Sequence, residues 1–294
     1  MSGSPPAAPS LTVVVPTYGR AGDLSALLER LVPQLGERKS LVIVNDGSPS
    51  PAYDRVIAAH ASPHLRYLVL PRNIGRGGAR NAGAAACDTG WIVFTDDDCR
   101  PPPGWLDRIA SLVARHDGGP AALDLIGGRT YPVLDHPPGF LSRVLACAGY
   151  HPNPVTVQGD LHCAVTAACA VRASALAAVG GFDPAYTTGE DLNLTARLTR
   201  AGYRARIARD WWTGHTVDAS LPETCGRFFR YGRAAAQNAF ALSDWSAHYF
   251  RTSMTLPAIL RTIRRGMARR HARFARARFP MAERLAATAI TGVV

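Results

Sequence analysis

Three short apolar runs, each ending in a cluster of polar residues, constrain this chain more than any other feature in it. Leu11-Thr-Val-Val-Val-Pro16 opens into Pro16-Thr-Tyr-Gly-Arg20. Leu41-Val-Ile-Val44 ends in Asn45-Asp-Gly-Ser48, and Trp91-Ile-Val-Phe94 ends in Thr95-Asp-Asp-Asp98. Runs this short that are apolar at consecutive positions read as strands buried on both faces. Between them, Leu24, Leu27, Leu28, Leu31 and Leu35 recur at helical spacing and predict a helix over 23–35. A helix over 56–60, a strand over 65–70 and an Ala- and Gly-rich helix over 76–87 continue the alternation. With no tight hairpin signal, this predicts a parallel sheet covered by helices. Ligands of such sheets bind at the carboxyl ends of the strands, so three polar strand ends predict the rim of one site.

The pattern loosens afterwards. A helix is expected over 105–115, a strand over 123–130, a short helix over 140–147, a strand over 164–172 and helices over 190–201 and 228–240, with a long basic helix from about Ala258. The chain has 294 residues, 47% of them hydrophobic, which suffices for a substantial core. Its net charge of +11 is uneven. From Arg251 onward ten arginines face one acid, Glu283, and the first 250 residues are nearly neutral. The six cysteines include no C-x-x-C pair, which predicts free thiols in a reducing compartment. Residues 1–10 have neither a basic nor an apolar region, predicting no signal peptide. The apolar stretch 163–180 is interrupted by Arg172, against a membrane span. These features predict a cytoplasmic protein.

Adjacent carboxylates repel one another unless a cation neutralises them. Asp96, Asp97 and Asp98 at the end of a buried strand therefore point to a hard divalent ion, Mn2+ or Mg2+, which also holds diphosphate oxygens; a solvated acidic turn is the simpler reading of a bare triplet. Asn73-Ile-Gly-Arg-Gly-Gly-Ala-Arg-Asn-Ala-Gly83 lets backbone approach a ligand, and Arg76 and Arg80 suit phosphate. It is neither a P-loop nor a dinucleotide fingerprint, and small residues packed on a sheet explain it as well. Glu190 and Asp191, after Gly180-Gly-Phe-Asp-Pro184 and Gly189, read either as acids at a helix start or as a general base.

Taken in order, Val-Val-Pro-Thr-Tyr-Gly-Arg, Val-Asn-Asp-Gly-Ser, Asn-Ile-Gly-x-x-x-Ala-Arg-Asn, Phe-Thr-Asp-Asp-Asp, Gly-Gly-Phe-Asp and Gly-Glu-Asp resemble the inverting family 2 glycosyltransferases over roughly residues 10–215. The resemblance implies a GT-A fold, an α/β arrangement with a Rossmann-like, mostly parallel central sheet flanked by helices. It implies a catalytic domain over 10–220, with a nucleotide-binding half over 10–100 and an acceptor-binding half over 101–220. A disordered 1–9 would precede it, and a helical basic extension over 221–294 would follow. By the same resemblance, Pro16, Thr17, Tyr18 and Asp46 hold the base and ribose of a nucleotide-diphosphate sugar. Arg20, Gly75, Arg76, Arg80, Asp96 and Asp97 line the donor side, Asp98 and His215 bind the metal, and Asp191 is the catalytic base supported by Glu190.

Asn193 stands where many relatives carry a further acid, and Arg227-Phe-Phe-Arg-Tyr-Gly-Arg233 lacks the tryptophan of processive synthases. Single-sugar transfer is therefore expected. UDP is the favoured nucleotide, with GDP and dTDP open and the acceptor unassigned. A nucleotidyltransferase would need a different Gly-rich loop near the first strand, and a non-catalytic binding protein would leave Glu190 and Asp191 unexplained. The basic tail has three readings: packing on the domain or a second subunit, contact with an anionic membrane face, and nucleic-acid binding, ranked last for want of a recognition module.

Overall fold

The computed structural model describes residues 9–49, 51–117, 122–134, 139–148, 155–157, 160–217 and 220–241. The order of elements is β1 (Leu11–Thr17), α1 (Ala21–Leu31), β2 (Lys39–Asn45), α2 (Ala52–Ala59), β3 (Leu65–Val69), α3 (Gly75–Ala85), β4 (Trp91–Phe94) and β5 (Cys99–Arg100). There follow α4 (Trp105–His116), β6 (Leu125–Val133), α5 (Phe140–Ala148), β7 (Val155–Val157), β8 (Asp160–Cys163), β9 (Cys169–Arg172), α6 (Ala173–Ala178), α7 (Glu190–Arg200), β10 (Ala205–Thr216) and α8 (Leu221–Ala241). Two compact units emerge, one from Met1–Tyr131 with Pro152–His215, the other from Pro132–His151 with Thr216–Val294. The first holds almost all of the sheet and every residue of the site below. The second contains α5 and α8.

Eight strands form one sheet in the order β3-β2-β1-β4-β9-β6-β10-β5. The pairs β2·β3, β1·β2 and β1·β4 are parallel. The pairs β4·β9, β6·β9 and β5·β10 are antiparallel. β7 and β8 form a separate two-stranded ribbon. The expected α/β sheet flanked by helices is present, and β4 is the seam between its parallel and antiparallel parts.

Side chains alternate across a strand, and both faces of β1, β2 and β4 are apolar. Val13, Val15, Leu41, Ile43, Trp91 and Val93 pack beneath α1 and α4, against Leu24, Leu27, Leu28, Trp105 and Ile109. Val14, Val42, Val44, Ile92 and Phe94 pack on the other side, with Ala79 of α3, Leu176 of α6 and Leu194 and Leu198 of α7. Each large aliphatic side chain so buried contributes about 1.5–3 kcal/mol. Packing explains Gly83 of α3. A Cβ at Gly83 would stand 2.4 Å from Val14 Cγ1 and 3.0 Å from Val44 Cγ2, so the helix lies on the sheet at a distance only glycine permits.

The expected strand over 164–172 is a single turn of 3-10 helix, Thr166–Ala168, followed by the shorter β9. The helix over 228–240 begins earlier, at Leu221. β10, β5, β7, β8 and α6 were not anticipated. The basic helix from Ala258, with Arg261 to Arg278, and residues 1–8 of the N-terminus expected to be disordered over 1–9 lie outside the described residues. Among the described residues, no helix is long and apolar enough to cross a membrane.

Candidate metal and nucleotide-sugar site

The site forms where β1, β2 and β4 stop. The chain leaves β1 at Thr17, and Gly19 N–H donates to Ser48 Oγ at 2.8 Å, tying the first polar strand end to the second. Asn45 Oδ1 accepts from Ser48 N–H at 2.8 Å, closing the turn after β2. Asp46 is buried. Its Oδ1 accepts from Ile74 N–H at 2.8 Å, just before α3. Pro16 lies within buried β1, whereas Tyr18 is exposed and presents its ring at the rim.

The three aspartates have three different environments. Asp97 is buried, and its Oδ2 accepts from Thr17 Oγ1 at 2.7 Å. Burial first, then repulsion from Asp98, pushes its carboxyl up to about 7. Asp96 faces the other way, its Oδ1 accepting from Arg80 Nη2 at 2.6 Å. Burial pushes its carboxyl up, but Arg80 and Arg76 prevail and hold it below the usual carboxylate range. Asp98 Oδ2 pairs with Arg20 Nη1. Asp98 Oδ1 has no hydrogen bond although it is buried, and it lies 3.3 Å from His215 Nε2.

His215 comes from the C-terminal end of β10. β10 pairs antiparallel with β5, His215 opposite Cys99, which places the imidazole beside the end of the acidic triplet. One ligand atom each from Asp96, Asp98 and His215 lies within 4.8 Å of the other two. A buried carboxylate oxygen lacking a donor, beside an imidazole and a second carboxylate, fits a divalent cation. Asp96, expected on the ribose side, lies in this cluster with Asp98 and His215.

Arg80 is only 1% exposed. One end of its guanidinium donates to Asp96, and Nη1 donates to Glu190 Oε1 at 2.7 Å. Both Nη groups are therefore already engaged by carboxylates, and Arg76, which is exposed, is the arginine of this segment open to an incoming anion. Gly75 opens α3 with φ of +83°. Next to Arg80, Asn81 clamps the backbone of Phe182: Nδ2 donates to Phe182 O at 2.7 Å, and Oδ1 accepts from Phe182 N–H at 2.8 Å. Arg197 of α7 donates to Gly181 O at 2.6 Å and to Val179 O. The Gly-Gly-Phe segment is thereby held from both sides. Sequence reasoning quoted Asn81 without a role and missed Tyr53, whose hydroxyl accepts from Arg20 N–H at 2.6 Å. Only the motif context of Asn81 carried a signal; that of Tyr53 lies in a fold contact invisible along the chain.

Glu190 and Asp191 begin α7 after Gly189. Glu190 is buried against Arg80, and Asp191 is partly exposed, its Oδ1 accepting from Leu192 N–H at 2.8 Å. Removal from water, then the charge of Glu190, pushes the Asp191 carboxyl up to about 7. A carboxylate so placed is suited to taking a proton near neutral pH.

Known proteins resemble this chain in sequence and in fold. Residues 12–132 match the family Glycosyl transferase family 2, and residues 91–275 match Glycosyl transferase family group 2. The chain is 32% identical over 292 residues to the Pre-mycofactocin glycosyltransferase of Mycobacterium tuberculosis (strain H37Rv), an alignment covering 90% of this chain and 56% of that protein. It is 24% identical to Glycosyltransferase AglE of Haloferax volcanii, covering 81% of this chain and 80% of that one. The chain thus spans little more than half the length of the first relative. Among solved structures, S. aureus TarS in complex with UDP-GlcNAc superposes with a TM-score of 0.55 at 19% identity, covering 72% of this chain and 59% of TarS. GalNAc-T7 with UDP, GalNAc and Mn2+ does so with 0.56 at 12% identity, covering 72% and 44%. With the fold shared by these structures and family matches running from residue 12 to residue 275, the chain belongs to glycosyltransferase family 2.

Proposed function

We propose that the protein is a metal-dependent inverting glycosyltransferase that moves a single sugar from a nucleotide-diphosphate donor, a UDP-sugar, to a hydroxyl acceptor. The observation that carries this is the convergence of Asp96, Asp98 and His215 within 4.8 Å at the end of β4. Two carboxylates and an imidazole favour Mn2+ over Mg2+, since imidazole suits transition ions. A bound ion would supply charge neutralisation to the leaving diphosphate. Relatives with glycosyltransferase names and neighbours solved with UDP-GlcNAc or with UDP and Mn2+ support the same reading.

Tyr18 and Asp46 hold the base and ribose, and Arg76 faces the diphosphate. Asp191 takes the proton of the acceptor hydroxyl as its oxygen attacks the anomeric carbon. The bond from that carbon to the phosphate oxygen breaks, its electron pair leaves with the nucleoside diphosphate, and the configuration inverts. Glu190, fixed by Arg80, keeps Asp191 from ionising at acid pH and so tunes the base toward neutrality.

A thermal-shift screen with UDP, GDP, dTDP, CDP and ADP, each with and without Mn2+, tests the donor assignment, because a ligand of the folded state must raise its stability. UDP should stabilise the protein in the presence of Mn2+, and Asp98→Ala should abolish the gain. Stabilisation by no nucleotide would overturn the reading. Asp191→Asn separates an enzyme from a binding protein: UDP binding should survive while turnover falls about 10²–10⁴-fold.

A further inference from the structure

The metal cluster already faces a cation of the protein's own. Arg20 lies at the start of α1, and its Nη1 pairs with Asp98 Oδ2 and stands 3.8 Å from Asp97 Oδ1. The two oxygens of Asp98 are divided, Oδ2 toward Arg20 and Oδ1 toward His215 with no hydrogen bond. Arg20 is anchored through its backbone, whose N–H donates to Tyr53 Oη. Its side chain remains 47% exposed, long, and able to swing. Arg80, by contrast, is enclosed by Asp96 and Glu190 and has no such freedom.

We propose that Arg20 is a built-in counter-ion of the metal site, which holds Asp98 in the metal-free protein and makes tight metal binding depend on the arrival of the nucleotide diphosphate. This rests on the metal reading above and adds a residue that regulates it. An ion held by Asp98 Oδ1 shares one carboxylate with the guanidinium, so the two cations repel across a few ångströms. The penalty acts on the ion alone. A diphosphate removes it by giving Arg20 a new anionic partner: guanidinium pairs with phosphate in the same bidentate manner as with carboxylate. Metal and nucleotide then each bind better in the presence of the other, and by linkage the two gains are equal. A guanidinium is not deprotonated in proteins, so the exchange is one of partners, not of protons.

The test is Mn2+ binding followed by electron paramagnetic resonance of the free ion, with and without UDP, on the full chain. Wild type, Arg20→Gln, Arg20→Lys and Asp98→Asn are compared. Arg20 is half exposed and its anchor is backbone, so its variants keep the fold, which an unchanged thermal midpoint verifies. Wild type should bind Mn2+ weakly alone and more tightly with UDP. Arg20→Gln should bind Mn2+ alone on the order of tenfold more tightly, and UDP should add correspondingly less. Arg20→Lys, which keeps the charge, should stay near wild type. If Mn2+ binds through Asp98 but Arg20→Gln leaves its affinity unchanged or weaker, the counter-ion role is overturned and the metal site stands. If Mn2+ fails to bind wild type even with UDP, or binds Asp98→Asn equally well, the metal reading falls and this inference with it.

Discussion

The chemistry turns on how a few carboxylates are kept apart in state. As the proposed base, Asp191 needs its anionic form to accept a proton, and burial with the neighbouring Glu190 charge pushes it up to about 7. The rate under kcat/KM conditions should therefore rise with pH up to about 7 and then level. Glu190→Gln removes the repelling charge, so the acidic limb should move to lower pH, which a pH–rate profile on both proteins reads directly. The same shift has a stability consequence. A carboxyl held protonated in the folded chain contributes stability below its unfolded value of about 4 that is lost as pH rises through about 7. Wild type should lose stability relative to Asp191→Asn across that window in urea denaturation. At this scale, the acidic triplet and Glu190-Asp191 were legible in the sequence because their spacing is local. The contact of Arg80 with Glu190, 110 positions away, was not, and arginine beside glycines suggested phosphate instead of a buried carboxylate bridge.

Elements carry the site by closeness of approach. α3 rests on β1 and β2 through Gly83, and Gly83→Ala should cost about 1–3 kcal/mol by overpacking, seen as a lowered urea midpoint. Gly22 of α1 is the contrast, since a Cβ there meets nothing within 4 Å. Gly22→Ala should raise stability by about 0.5–1 kcal/mol through backbone entropy. The parallel strands were legible because each is buried on both faces and so reads as an unbroken apolar run. β10 was not. Its twelve residues, Ala205–Thr216, interleave Arg206, Arg209 and Asp210 with a core tryptophan, Trp211, which stacks on Trp105 at 5.1 Å. Arg206, Arg209, Asp210 and Trp212 are exposed while Ala208 and Trp211 are buried, and no simple alternation marks the strand. α6 was hidden because its six residues, Ala173–Ala178, are too few to show a helical period.

For the molecule as a whole, Arg80 and Asn81 are the joint between the parallel half of the sheet, the proposed donor side, and the segment from Phe182 to Asp191 that carries the proposed base. Arg80→Met would leave Glu190 buried without a partner, at a cost of about 3–5 kcal/mol, and should loosen Asp96 as well. Denaturation and Mn2+ affinity measured on the same variant should both respond. The overall α/β order was legible from strand ends alone, because the carboxyl edge of a parallel sheet collects polar residues wherever it binds ligands. The antiparallel continuation was not, since nothing in one strand names its neighbour. The proposed floor under the nucleotide base is built from two segments. Asp46 is bonded to Ile74 N–H, and a Cβ on Gly47, whose φ is +76°, would stand 2.4 Å from the carbonyl carbon of Arg72. Residues 46–48 and 72–74 are thus fitted to each other by a side-chain bond at Asp46 and a close main-chain approach at Gly47. Over evolutionary time they are expected to drift together or stay fixed together, and a lineage changing its donor base has to move both segments at once.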